Sequence, residues 1–151
     1  MNRGFTYVGL LILLAGLGLS ALGALQLGQS MLRRSAEEQL IVQGKLWIAA
    51  LESYADATPA GQMPLPRNAA ELLRDERQRP FKRHLRTIPF DPVTRSQDWV
   101  LIRANDGSNG ILGVHSQSTA QPIKLQGFER GLDYFEEQKS YQEWKFMGPR
   151  R

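Results

Sequence analysis

Cysteine is absent from the 151 residues, and histidine occurs only at His84 and His115. Without cysteine there is no disulfide framework, no thiol nucleophile, no thiolate metal site and no lipidated N-terminal cysteine. Two histidines leave few choices for a general base. No Walker loop, zinc-ligand spacing or G-x-S-x-G motif is present. The adjacent carboxylates Glu37-Glu38 and Glu136-Glu137 fit solvated helix faces better than an acid–base pair. No catalytic residue is assigned, and the chain is not expected to be an enzyme. Proline is missing before Pro59, and charge is missing between Arg3 and Arg33. The net charge of +4 is a mild excess that says little about nucleic acid.

What is present begins with "MNRGFTYVGLLILLAG". A helix rises about 1.5 Å per residue, so ~20 residues cross a hydrocarbon core of ~30 Å. Residues 4–32 are long enough to span a membrane, with one globular part following them. Three readings compete. A secretory signal would use Leu10–Leu19 as its apolar core and cleave after Ala21-Leu22-Gly23, although the apolar run continues through Leu27. A plain anchor helix is equally compatible with composition. Its orientation is nearly balanced, with Arg3 on one side and Arg33 and Arg34 on the other.

In the third reading, "NRGFTYVGLLILLAGLGL" resembles the prepilin-type leader of type IV pilins and type II secretion pseudopilins: a short basic leader, a glycine, a phenylalanine, and an apolar helix that starts at once. The resemblance implies cleavage between Gly4 and Phe5, N-methylation of Phe5, and a helix that stays attached. Gly9 stands where most members carry a glutamate. That glutamate is thought to pair with the free amine of a neighbouring subunit. A carboxylate at membrane depth costs about 2.5–3.5 kcal/mol unless paired, so Gly9 removes both the cost and the pairing. Members without this glutamate are known to cap or initiate filaments, which leaves major and minor subunits both open.

Beyond Arg34 the pattern turns amphipathic. Leu40, Gly44, Trp47, Leu51 and Tyr54 step by fours and threes and place one stripe on a helix face, with Glu37, Glu38, Lys45 and Glu52 expected off it. One helix is expected over 5–54, its part 5–32 transmembrane, followed by a globular head over 55–151. The breaker-rich "TPAGQMPLP" follows, and Asn68-Ala69-Ala70-Glu71 reads as a capping box opening a short helix through Leu72, Leu73 and Arg74.

Five of the ten residues 77–86 are basic: Arg77, Arg79, Lys82, Arg83 and Arg86. They form a weak candidate anion-binding surface for DNA, acidic headgroups or an acidic partner; the competing reading is a solvated loop. With Phe81 the only aromatic in the cluster, base stacking has little support. His84 reads as surface or packing.

"DWVLIRANDGSNGILGVHSQS" reads as two strands about an Asn105-Asp106-Gly107 turn, the first buried on both faces, with a possible third at Pro122–Leu125. Tyr141 and Trp144 are expected to pack on the sheet. The segments "LRTIPFDPVTRSQDW", "GILGVHSQS" and "YQEW" resemble, in order and spacing, the head of type II secretion major pseudopilins. Arg95 stands where glycine is usual, Gly113 where an acidic residue is usual, and Ala120–Gln138 is longer than the pattern. Such heads often bind calcium. Asp91, Asp98, Asp106 and Asp133 are too scattered here to support it, and the acidic residues of "ERGLDYFEEQ" are read as a helix face.

The expected fold is therefore α+β, a long N-terminal helix packed on a small antiparallel sheet. The resemblance implies a structural subunit of a type II secretion pseudopilus. Its partners would be other pseudopilins or pilins, a prepilin peptidase and an inner-membrane assembly platform. It would sit in the bacterial inner membrane as a single-pass protein with a periplasmic head. No cofactor or metal is assigned, and nucleic acid is not an expected partner. The alternatives are a minor type IV pilin, or a periplasmic accessory protein released by signal peptidase.

Overall fold

The computed structural model describes the backbone of residues 3–148, and the side chains of these residues other than 3–6 and 18–27. The order of elements is helix α1 (Arg3–Asp56), helix α2 (Ala70–Leu73), strands β1 (Val100–Arg103) and β2 (Ile111–His115), 3₁₀ turns at Asp133–Phe135 and Tyr141–Glu143, and strand β3 (Phe146–Met147). By its contacts the chain divides into two compact units, Met1–Ser35 and Ala36–Arg151. The class is α+β.

The first unit is helical. Its described apolar side chains Leu10, Leu11, Ile12, Leu13 and Leu14 are exposed one after another around the helix. Among the described residues, no helix is long and apolar enough to cross a membrane. The expected span 5–32, the cleavage pair Gly4-Phe5 and the small-residue triplet Ala21-Leu22-Gly23 all include side chains outside the described set.

The second unit holds the core. Leu40, Trp47, Leu51 and Tyr54 are buried, and Gly44 lies among them, as the stripe predicts. Contrary to expectation, Glu37 is also buried. The steps from residue 37 to 40 to 44 continue the same spacing, so Glu37 belongs to the stripe. Pro59 ends the helix region, since the residue before a proline is pushed out of the α conformation, and the Thr58 hydroxyl donates to Tyr54 O instead. The capping box forms only in half: Asn68 Oδ1 accepts from Glu71 N–H at 3.1 Å, but the Glu71 carboxylate accepts from Asn68 Nδ2 and from Arg67 N–H, and the helix has Ala69 as its N-cap.

The sheet is antiparallel with order β1-β2-β3. Strand β1 is not buried on both faces: Val100 and Arg103 are exposed, and Trp99, just before it, carries the burial. The third strand is β3 rather than residues 122–125, whose N–H groups at Ile123 and Lys124 donate to Glu37 and so join no ladder. The stretch 129–138 is not a helix but one 3₁₀ turn, Asp133–Phe135, followed by Glu137 at φ 59°. Tyr141 and Trp144 are buried as expected, and Trp144 stacks on Phe135 with ring centres 5.1 Å apart. A Cβ at Gly113 would lie 2.5 Å from Phe146 O, so no acidic side chain fits there. Arg95, where the resemblance expects glycine, holds φ 57°, the left-handed backbone that glycine adopts most readily.

Candidate functional site

Two of the motif segments, "IPFDPVTRSQDW" and "GILGVHSQS", meet at Asp91. Its Oδ1 accepts from Val93 N–H at 2.8 Å and Thr94 N–H at 3.2 Å, while Oδ2 accepts from the Ser116 hydroxyl at 2.6 Å. Asp91 N–H donates to Ser96 O at 2.7 Å, and Trp99 Nε1–H donates to Pro89 O at 2.8 Å. A fully buried carboxylate with three donors is a structural tie: it fastens "IPFDPVTRSQDW" to the end of β2.

A second buried carboxylate anchors the long segment. Glu37 Oε2 accepts from Ile123 N–H at 2.7 Å and from the Tyr141 hydroxyl at 2.8 Å, and Oε1 accepts from Lys124 N–H at 2.8 Å. Leu132 and Phe135 fill the core behind it, with Phe128 against them, and Lys45 pairs with Glu129 at the surface. The segment Ala120–Gln138 is thus bound to α1 at a polar and an apolar point.

Of the five basic residues of the candidate anion surface, one is paired internally. Arg77 Nε donates to Asp75 Oδ1 at 2.9 Å and Nη2 to Asp75 Oδ2 at 2.8 Å. Nη1 reaches Thr58 Oγ1 at 2.9 Å, and the guanidinium lies 3.6 Å over the Tyr54 ring. It clamps the end of α1 to the following loop, its charge matched by Asp75. Arg79, Lys82, Arg83 and Arg86 are exposed.

The side chain of His84 proves to be buried. Its Nδ1 lies 2.8 Å from Ser53 Oγ and its Nε2 3.4 Å from Asp75 Oδ2. Serine, imidazole and carboxylate thus stand in a row, a juxtaposition missed in the sequence because 31 residues separate Ser53 from His84. The geometry argues for packing: the ring is sealed from solvent, and Arg77 already engages both oxygens of Asp75. The Arg77 hydrogen bond holds Asp75 down to about 2, against the resistance of burial. Burial pushes the His84 imidazole below its ordinary value, opposed by its hydrogen bond to Asp75. Burial, then the hydrogen bond to Glu71, pushes the Tyr54 phenol up.

An open groove of about 580 Å³ runs beside this cluster, with Met63, Leu65, Arg67 and Glu71 in its walls. Most of its charged groups are engaged internally, in Arg77–Asp75, Arg74–Glu76 and Tyr54–Glu71. Among the described residues no three histidine, aspartate or glutamate side chains gather as metal ligands. Asp106 receives Ser108 N–H and Asp133 receives Gly131 N–H, each closing its own turn. Gly9 is exposed, and a Cβ there would meet nothing within 4 Å.

No protein-family model matches the chain, and neither a curated protein nor a solved structure matches it.

Proposed function

We propose that the chain is a structural subunit of a type II secretion pseudopilus. It is processed between Gly4 and Phe5 by a prepilin peptidase, held in the bacterial inner membrane by its N-terminal helix, and assembled with other pseudopilins through an inner-membrane platform. The observation that carries this reading is the unbroken exposed run Leu10–Leu14 in the first unit. A helix apolar on every side is stable only when lipid or other helices surround it. A subunit moving from membrane to filament core provides both surroundings in turn. The leader-like "NRGFT" before that run, and the knot made by "IPFDPVTRSQDW" with Ser116, support the same reading. A minor type IV pilin shares this chemistry and differs in its co-subunits.

Because the chain has no cysteine, a Leu13→Cys variant gives a single cross-linking point. Oxidation in native membranes should yield disulfide adducts with cysteine-bearing copies of itself or of co-subunits, dependent on the assembly ATPase. Adducts with pseudopilins place it in a pseudopilus, and adducts with pilins place it in a pilus. Monomer alone, with and without the ATPase, contradicts the filament role.

A further inference from the structure

The segment after Arg77 retains charges that nothing internal neutralises. Arg79, Lys82, Arg83 and Arg86 are exposed and make no ion pair among the described residues. The carboxylates nearest in sequence are engaged: Asp75 by Arg77, Glu76 by Arg74, Glu71 by Tyr54 and Asn68, and Asp91 by Ser116 and the Val93 and Thr94 N–H groups. No acidic residue occurs from Arg79 to Phe90. The same stretch exposes two large apolar rings, Phe81 at 52% and Phe90 at 48%. Its backbone is fixed rather than loose: Asp75 N–H donates to Lys82 O at 2.8 Å, and Leu72 O accepts from both His84 and Leu85 N–H, whose side chains are buried beneath.

We propose that residues 79–90 form a docking surface for an anionic lipid headgroup layer, an inference that rests on the membrane-anchored part of the reading above. Four cations without internal counterions complement a negative surface, where each basic side chain strengthens association roughly fivefold. Exposed aromatic rings among cations suit the headgroup boundary, where an apolar ring is buried and its charged neighbours stay wet. Nucleic acid fits less well. Arg74 lies 4.1 Å over one face of the Phe81 ring and leaves a base only the other face to stack on. A free phosphate has no use for the two rings.

The test uses the full chain carrying Thr87→Cys, labelled with an environment-sensitive fluorophore. It is reconstituted into phosphatidylcholine vesicles with brominated acyl chains, with or without one-third phosphatidylglycerol. Quenching of the label is expected on the anionic vesicles, lost at high salt and absent on neutral ones. Each of Arg79→Gln, Lys82→Gln, Arg83→Gln and Arg86→Gln should lower the docked-to-free ratio roughly fivefold. Salt dependence is read on the label-bearing chain alone, so the result does not depend on the fold of the glutamine variants. Equal quenching on neutral vesicles, no quenching on either kind, or no loss with the four substitutions overturns the proposal. Release of the label from the membrane by duplex DNA, or by inorganic phosphate at matched ionic strength, also overturns it in favour of those ligands. Failure of the anchor reading is seen separately, as chain extracted by carbonate from both kinds of vesicle.

Discussion

Glu37 joins α1 to a segment more than eighty residues away through three hydrogen bonds to one carboxylate. Truncating an acceptor strands its donors, each at about 1–3 kcal/mol when buried. Ile123 and Lys124 are not fully buried, so part of that loss returns as hydration. Glu37→Ala should therefore lower stability by about 2–3 kcal/mol in urea unfolding, and Glu37→Gln, which keeps one acceptor oxygen, by about half as much; equal midpoints for all three proteins would show the clamp to be idle. His84 gives a pH dependence. Its folded pKa lies below the ordinary value of 6.5, so the unfolded chain binds the proton first on acidification. Stability is full above pH 6.5 and falls as pH drops toward the folded value. Asp75, held at about 2 against 3.8 when free, adds a second loss between those values, on the order of 2 kcal/mol. Replacing His84 with Gln should flatten the decline that starts near pH 6.5 while leaving the more acidic one, as followed by thermal melts across pH. An unchanged slope would mean that His84 is not the group titrating.

Strand β3 and helix α1 meet where Gly44 faces Phe146. A Cβ at Gly44 would stand 2.2 Å from the Phe146 ring, which is fully buried. Helix propensity alone favours Gly44→Ala by about 1 kcal/mol. Overpacking of a closed core opposes it by about 1–3 kcal/mol. The steric effect should win, giving a net loss measurable by chemical denaturation; a gain in stability would show that the ring moves aside freely. Gly44 also marks where the sequence was legible. The stripe from Leu40 to Tyr54, the Asn68–Glu71 hydrogen bond and the Asn105-Asp106-Gly107 turn are local patterns, and local patterns are readable because neighbours in sequence set them. Glu37 was misplaced because a lone carboxylate looks solvated until its distant donors are known. Residues 122–125 read as a strand for the same reason: their partners lie on α1. Arg77 looked free because its counterion Asp75, two residues away, is oriented by the turn and not by any sequence period. Ser53, His84 and Asp75 come together only through the chain reversal after α1.

The whole molecule combines a helical unit with exposed apolar surface and a compact α+β unit closed by two buried carboxylate ties. Each half makes sense of a feature the other does not explain. Leu10–Leu14 expose apolar surface on the first unit, which the filament reading covers with lipid or neighbouring helices, and the second unit has its own core. Gly9 bears on assembly. In the filament reading, Gly9→Glu restores a carboxylate that can pair with a neighbouring subunit's amine, and space for it is open on the helix itself. Incorporation into isolated filaments, measured by co-sedimentation with other subunits, should rise; unchanged incorporation would show that the missing carboxylate is not what limits assembly. The filament reading depends most directly on where the mature chain begins. Intact mass and N-terminal sequencing of the protein from its native membrane should find a chain starting at N-methylated Phe5. A start near Ala24, or an intact Met1 in cells able to process prepilins, would contradict it.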